Sequence, residues 1–202
     1  METRIIGLDP GTLHAGYGVI AMSDNGVLRR IAGGCIHAPA GEAVPERLAI
    51  IYRGLREVIE TYRPQEASVE TVFTGKNARV ALTMGEGRGI ALLSVSIDGI
   101  PVFNYEPRLV KKTVAGSGSA SKEQIQRMTA ILLQMPSPAE TDHEADALAL
   151  AIAHAVRKRS AMQTGSTSIS MKKGKVKNRS LSSLPPSVLA QLPDDVKRKK
   201  KT

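Results

Sequence analysis

Tryptophan is absent from this 202-residue chain, and only two phenylalanines and four tyrosines occur. Aliphatic side chains must therefore build any core, and a hydrophobic fraction of 42% suffices for one domain of that kind. Cys35 is the only cysteine, which excludes an intrachain disulfide and any zinc site built on several thiolates. No apolar run approaches the roughly 20 residues of a membrane span. Met1-Glu2-Thr3-Arg4 leads straight into Ile5-Ile6-Gly7, without the pattern of a secretion signal. The simplest expectation is a soluble cytoplasmic protein.

Positive charge is in excess, at +9, but unevenly placed. Thirteen Lys/Arg and two Asp/Glu fall between Arg157 and Thr202; of 28 bases and 19 acids, 15 and 17 then remain for the body, which is slightly acidic. Residues 160–180 are rich in Ser, Thr, Gly and Lys and read as a disordered linker. Pro185-Pro186 interrupts a mildly apolar stretch, and Lys197-Arg198-Lys199-Lys200-Lys201 closes the chain as a basic cluster. Such a tail can add phosphate affinity that ignores base sequence; a solubilising end is the alternative.

The body reads as mixed α/β. Short apolar strands are expected over residues 4–8, 17–22 and 27–37, the last two joined as a hairpin by Asp24-Asn25-Gly26. Leu48, Ile51, Tyr52, Leu55, Val58, Ile59 and Tyr62 recur at helical spacing, giving a helix from Pro45 to before Pro64. A strand over 66–73, a helix over 77–97 and a strand over 101–105 follow. Ser121-Lys122-Glu123-Gln124 and Thr141-Asp142-His143-Glu144 are capping boxes opening helices to about residues 133 and 158. The order βββαβαβαα fits a mixed five-stranded sheet flanked by helices, the pattern of a ribonuclease H-like fold.

Three carboxylates occupy positions that propensity disfavours. Asp9 ends an apolar strand, Glu70 follows Ala67-Ser68-Val69 inside another, and Asp146 precedes the apolar run Ala147 to Ala153. Each has a plain alternative for Asp9 and Glu70, as a turn residue and as a solvent-facing strand residue. Asp142 and Glu144 are explained by the helix dipole, Asp146 less well. Buried carboxylates need a counter-charge, and no basic residue adjoins any of the three in sequence. A divalent cation would serve all at once. Hard oxygen ligands favour Mg²⁺ or Mn²⁺, and two such ions about 4 Å apart can drive phosphodiester hydrolysis.

Several motifs occur in order: Ile6-Gly7-Leu8-Asp9-Pro10-Gly11, Gly16-Tyr17-Gly18-Val19, Val69-Glu70-Thr71-Val72-Phe73, Lys76-Asn77, Val110-Lys111-Lys112-Thr113-Val114, Gly116-Ser117-Gly118-Ser119-Ala120-Ser121-Lys122 and Ala145-Asp146-Ala147-Leu148-Ala149. Together they closely resemble the RuvC family of bacterial Holliday-junction resolvases, over about residues 5–157. The resemblance implies a ribonuclease H-like nuclease domain over 1–158, with 159–202 as an added basic tail. It also implies a homodimer that resolves four-way DNA junctions by paired nicks, in recombination and repair, beside the RuvA–RuvB branch-migration motor. It places catalytic metal ligands at Asp9, Glu70 and Asp146, with two Mg²⁺ per subunit and Mn²⁺ as the alternative ion. The fourth ligand falls on His143, where many members carry Asp; Asp142, on the same helix face as Asp146, is the rival.

The resemblance further sets Phe73 on a loop that probes bases at the crossover, where an aromatic can replace lost stacking. Lys76, Asn77 and Arg79 would meet phosphates, and Lys111 and Lys122 would face DNA beside the metals. Core packing for Phe73 and a solvated surface for the others are the alternatives. Gly85, Gly87 and Gly89 each cost about 1 kcal/mol inside a helix, so close approach of another helix at a dimer interface is expected. Competing functions are an actin-like ATPase, for which the body is too short, a non-catalytic junction-binding protein, and a related nuclease acting on another branched nucleic acid.

Overall fold

A computed structural model describes residues 2–71 and 78–164. The chain divides into two units, Met1–Ile169 and Ser170–Thr202, and the second lies outside the described residues.

The first three strands form an antiparallel meander: β1 (Glu2–Asp9), β2 (His14–Ser23) and β3 (Leu28–His37). The expected hairpin turn joins the last two. Gly26 adopts a left-handed φ of +80°, and its N–H donates to the Ser23 carbonyl at 2.8 Å. Helix α1 (Val44–Tyr62) buries Ile51, Leu55, Val58 and Ile59 and returns the chain to β4 (Glu66–Glu70). β4 lies beside β1, parallel to it, and β5 (Val102–Tyr105) extends the sheet to the order β3-β2-β1-β4-β5. β4 ends at Glu70, short of the expected Phe73; residues 72–77 lie outside the described set. Helix α2 (Ala78–Ser96) connects β4 to β5. The sheet is the expected mixed five-stranded one.

One helix escaped the sequence reading. Between β5 and the first expected capping box lies α3 (Pro107–Ala115), so three helices rather than two close the domain. It is nine residues long, too short for a sustained hydrophobic period. Its signals are local: Pro107 in the first turn, Val110 and Val114 buried one turn apart, and Gly116 in a left-handed cap with φ +78°. Helix α4 (Lys122–Leu132) opens with the full reciprocal capping box of Ser121 and Gln124. Helix α5 (Asp142–Thr164) has half of one: the Glu144 N–H donates to Thr141 Oγ1 at 3.1 Å, while the Glu144 carboxylate turns to Arg30 at 2.7 Å.

The sheet is covered on both faces. Ile6, Leu8, Val19 and Val69 meet α1 and α2 on one side; Ile5, Ile20 and Tyr105 meet α3, α4 and α5 on the other. As its composition required, α5 is a buried helix, with Ala147, Leu148, Ala149, Leu150, Ala151, Ile152 and Ala153 all at 2% exposure or less.

The three α2 glycines divide in a way that corrects the expectation of a common cause. A Cβ on Gly87 would lie 2.8 Å from the Gly11 backbone carbon, so the close neighbour is the β1–β2 turn of the same chain. Nothing lies within 4 Å of the corresponding points on Gly85 and Gly89. These two share a helix face with Leu82 and Leu93, and Ile97 follows just past the last turn; all three are at least half exposed.

Candidate metal centre

Asp9 is the last residue of β1 and Glu70 the last of β4. These strands run parallel with Leu8 opposite Val69, so both carboxylates leave neighbouring strand ends at one edge of the sheet. Helix α5 crosses the same face and brings His143 and Asp146, one turn apart, over them. Glycine permits that approach. A Cβ on Gly7 would stand 1.9 Å from the Ala147 carbonyl oxygen, and one on Gly16 would stand 2.1 Å from that of His143. Any larger residue at either position would lift α5 off the strands that carry its partners.

The His143 ring reaches Asp9, with Nδ1 2.7 Å from Oδ2. That hydrogen bond, opposed by burial, holds the His143 pKa above its ordinary value. Burial pushes the Glu70 carboxyl up to about 7, with Asp9 and Asp146 adding repulsion and Lys111 opposing. Burial likewise raises Asp146, again reinforced by Asp9 and countered by Lys122. Three carboxylates from distant parts of the chain thus share one poorly hydrated region, where Asp9 raises the cost of ionising the other two and Asp146 that of ionising Glu70.

Two lysines temper this charge. Lys111 from α3 and Lys122 from α4 line an open cleft together with Glu70, Asp146, Val110 and Ile125. No basic residue adjoined the carboxylates in sequence, and the fold supplies these from far along the chain. The rival candidate Asp142 is engaged elsewhere: its two oxygens accept from Lys122 Nζ at 2.9 Å and from Gln126 Nε2 at 2.8 Å. His143, not Asp142, turns toward Asp9.

The donor set suits a hard divalent cation. It offers carboxylate oxygens in excess of nearby positive charge, together with one imidazole. Among the described residues no three His, Cys, Asp or Glu side chains converge closely enough to grip an ion unaided. Substrate phosphate and water would therefore share its coordination, as is usual for Mg²⁺.

Of the expected DNA contacts, Phe73, Lys76 and Asn77 lie outside the described residues, as does the Arg79 side chain, although its backbone belongs to α2. Two residues near the site went unremarked in the sequence. Arg88 of α2 donates through Nε to the Glu70 backbone carbonyl at 3.0 Å and through its other nitrogen to Asn104 Oδ1, tying α2 to the ends of β4 and β5. Its one signal was its place between Gly87 and Gly89. His14, at the start of β2, stacks on the His143 ring with centroids 5.3 Å apart and planes 10° from parallel. Nothing in its sequence context marks it.

Comparison with known proteins gives the chain a family. Residues 5–154 match the family described as crossover junction endodeoxyribonuclease RuvC. A relative of that name from Chloroflexus aggregans is 48% identical over 130 residues, covering 64% of this chain and 79% of the relative. Another, from Dehalococcoides mccartyi, is 47% identical over 132 residues, covering 65% and 78%. Among solved structures, Thermus thermophilus RuvC in complex with a Holliday junction substrate superposes with a TM-score of 0.72 at 32% identity, covering 81% of this chain and 97% of that one. The yeast mitochondrial Holliday junction resolvase Ydc2, at 11% identity and a TM-score of 0.60, shares the fold. With 150 of its residues inside the family match and relatives nearly half identical to it, this chain belongs to the RuvC family of crossover junction endodeoxyribonucleases.

Proposed function

We propose that this chain is a divalent-metal-dependent DNA endonuclease that resolves four-way junctions by paired, symmetric nicks. The observation that carries the reading is the convergence of Asp9, Glu70 and Asp146, with the Glu70 and Asp146 pKa values driven upward by burial and by neighbouring carboxylates, beside Lys111 and Lys122 in an open cleft. The relative solved with a Holliday junction supports the same substrate class.

Asp9, Glu70 and Asp146 would hold the metal through carboxylate oxygens, and His143 through a ring nitrogen. Bound Mg²⁺, two ions per subunit, or Mn²⁺ in their place, would supply an activated water and stabilisation of the leaving 3′ oxygen. Because His143 is neutral when it binds metal, this site carries one negative charge fewer than an all-carboxylate set, which favours an ion that accepts nitrogen, such as Mn²⁺. Lys111 and Lys122 place positive charge beside the scissile phosphate, where it offsets the charge that develops during attack.

Phe73 would stack on an opened base, and Lys76, Asn77 and Arg79 would meet phosphates. The exposed α2 face of Leu82, Gly85, Gly89 and Leu93, with Ile97 just beyond it, fits a two-fold contact between copies. A homodimer would present two cleavage sites to a nearly two-fold junction. Residues 1–158 would then be the nuclease domain and 159–202 a basic extension. The RuvA–RuvB complex would be the partner, in the cytoplasm; among the described residues no helix is long and apolar enough to cross a membrane.

The test is incubation with a mobile four-way junction, a flap, a duplex and an RNA–DNA hybrid in Mg²⁺ or Mn²⁺. Paired nicks confined to the junction are expected, and Asp146→Asn should retain binding while losing cleavage. A variant that still cuts, or a preference for the hybrid, would overturn the assignment.

A further inference from the structure

A second pair of side chains, outside the carboxylate set, has the spacing of a chelate. His14 opens β2 and His37 closes β3, and the two are direct partners across the strands. Both are exposed at the end of the hairpin. Their Nδ1 atoms lie 3.2 Å apart, with ring centroids at 4.7 Å and planes inclined by 37°. Two imidazole nitrogens bound to one ion, each at roughly 2.0–2.1 Å and near the tetrahedral angle, stand about 3.3 Å apart. The Nδ1–Nδ1 separation is therefore within a few tenths of an ångström of the spacing that two ligands of one ion take, and the paired strands hold the two residues opposite each other.

We propose that His14 and His37 form a second metal site that takes a nitrogen-preferring first-row divalent cation such as Zn²⁺ or Cu²⁺. Imidazole suits these ions, whereas carboxylate and water suit Mg²⁺ and Mn²⁺, so the chain carries two neighbouring sites of different chemical preference. Among the described residues no third His, Cys, Asp or Glu joins the pair closely enough to complete a set, and water fills the remaining positions. The site abuts the carboxylate centre through the stack of His14 on His143. An ion bound there would fix the ring against which His143 rests. The binding itself does not depend on the nuclease reading.

The chain has four histidines, and His154 is fully buried, so the only imidazoles open to an added ion are those of His14, His37 and His143. The experiment adds one equivalent of Cu²⁺, the strongest binder of the divalent series, to the full-length protein in Mg²⁺-containing buffer. Electron paramagnetic resonance reads the number of coordinated imidazoles, and calorimetry with Zn²⁺ reads stoichiometry. The wild-type protein should show two imidazoles on Cu²⁺ and a Zn²⁺ binding step separate from uptake at the carboxylate centre, which also ranks Zn²⁺ above Mg²⁺. His37→Asn and His14→Asn should each reduce the signal to at most one imidazole and weaken Zn²⁺ at least tenfold, while His143→Ala keeps both readouts. Two imidazoles persisting in either hairpin variant, or loss of binding in His143→Ala, would overturn the proposal. A tautomeric hydrogen bond with no metal role would show as no imidazole-bound Cu²⁺ in the wild type, with the same consequence.

Discussion

Replacing Gly16 by alanine tests how the candidate centre is assembled. The added methyl carbon would lie 2.1 Å from the His143 carbonyl oxygen, 2.5 Å from its carbonyl carbon and 3.0 Å from its Cβ. Ordinary contact begins near 3.5 Å, and the obstructing atoms are helix backbone, so the start of α5 must retreat from β2 by about 1 Å or more. Overpacking of this kind costs about 1–3 kcal/mol, and for a chain of this size each kcal/mol lowers Tm by about 2–4 °C. The larger effect should fall on activity. His143 and Asp146 ride on the displaced turn while Asp9 and Glu70 stay on their strands, and a misplacement of about 1 Å costs on the order of 100-fold in rate. Single-turnover cleavage of a four-way junction, run beside thermal unfolding and gel-shift binding, separates these effects. The expected result is a rate loss near 100-fold with binding retained and Tm lowered by several degrees. Wild-type cleavage in Gly16→Ala would refute the claim that glycine on β2 seats the catalytic helix.

Gly85→Ala and Gly89→Ala face open space, so each should stabilise α2 by about 1 kcal/mol in an isolated monomer. Sedimentation should then show weakened self-association if this face joins two copies, and no change if it does not. In metal-free protein Glu70 has its pKa raised to about 7 from 4.5. A raised carboxyl favours folding while protonated, so its contribution is complete below about pH 4.5 and lost as pH rises through 7. Wild type should lose on the order of 1–2 kcal/mol relative to Glu70→Gln across that window, allowing for the water that reaches a half-buried carboxyl. Added Mg²⁺ should restore that loss; parallel Tm profiles for the two proteins would count against it. Glu144 is 3% exposed and paired with Arg30 at 2.7 Å. Arg30→Ala should therefore cost about 3 kcal/mol by leaving that charge buried without a counter-charge, with the Glu140 N–H still donating to it at 3.3 Å, read as a Tm drop near 10 °C.

Much of this architecture was legible because its signals are local and repeated. The α1 period, the turn at Asp24-Asn25-Gly26 and the capping box at Ser121 each require only near neighbours, and each appears where expected. Helix α3 was not legible, since nine residues ending in a glycine carry one hydrophobic pair rather than a period. Asp9, Glu70 and Asp146 stood out as carboxylates in apolar surroundings. Their partners stood out less: Lys111 and Lys122 were set beside the metals by the family resemblance alone and Arg88 by nothing, and it is the packing of α2, α3 and α4 around the strand ends that gives all three a place. The α2 glycines show the same limit. One answers to the Gly11 backbone and two to open space, a division that spacing within the helix cannot express.

The topology explains why the carboxylates must come from separate elements. β1 and β4 are parallel neighbours only because α1 carries the chain back across the sheet, and the carboxyl ends of adjoining parallel strands open onto a crevice suited to ligands. Two acids there would repel but could still share water. The third arrives on a helix that is apolar on nearly every side, and that helix removes the water. Burying α5 against Gly7 and Gly16 stabilises the domain, and the same contact desolvates Glu70 and Asp146. Core packing and the electrostatic strain at the site thus have one source. A substitution that relaxes the strain by lifting α5 should weaken the fold and the metal affinity together, whereas Asp146→Asn should relieve repulsion and remove metal affinity while leaving the packing intact. Opposite changes in metal-free stability for Gly16→Ala and Asp146→Asn, measured side by side, would separate the two contributions.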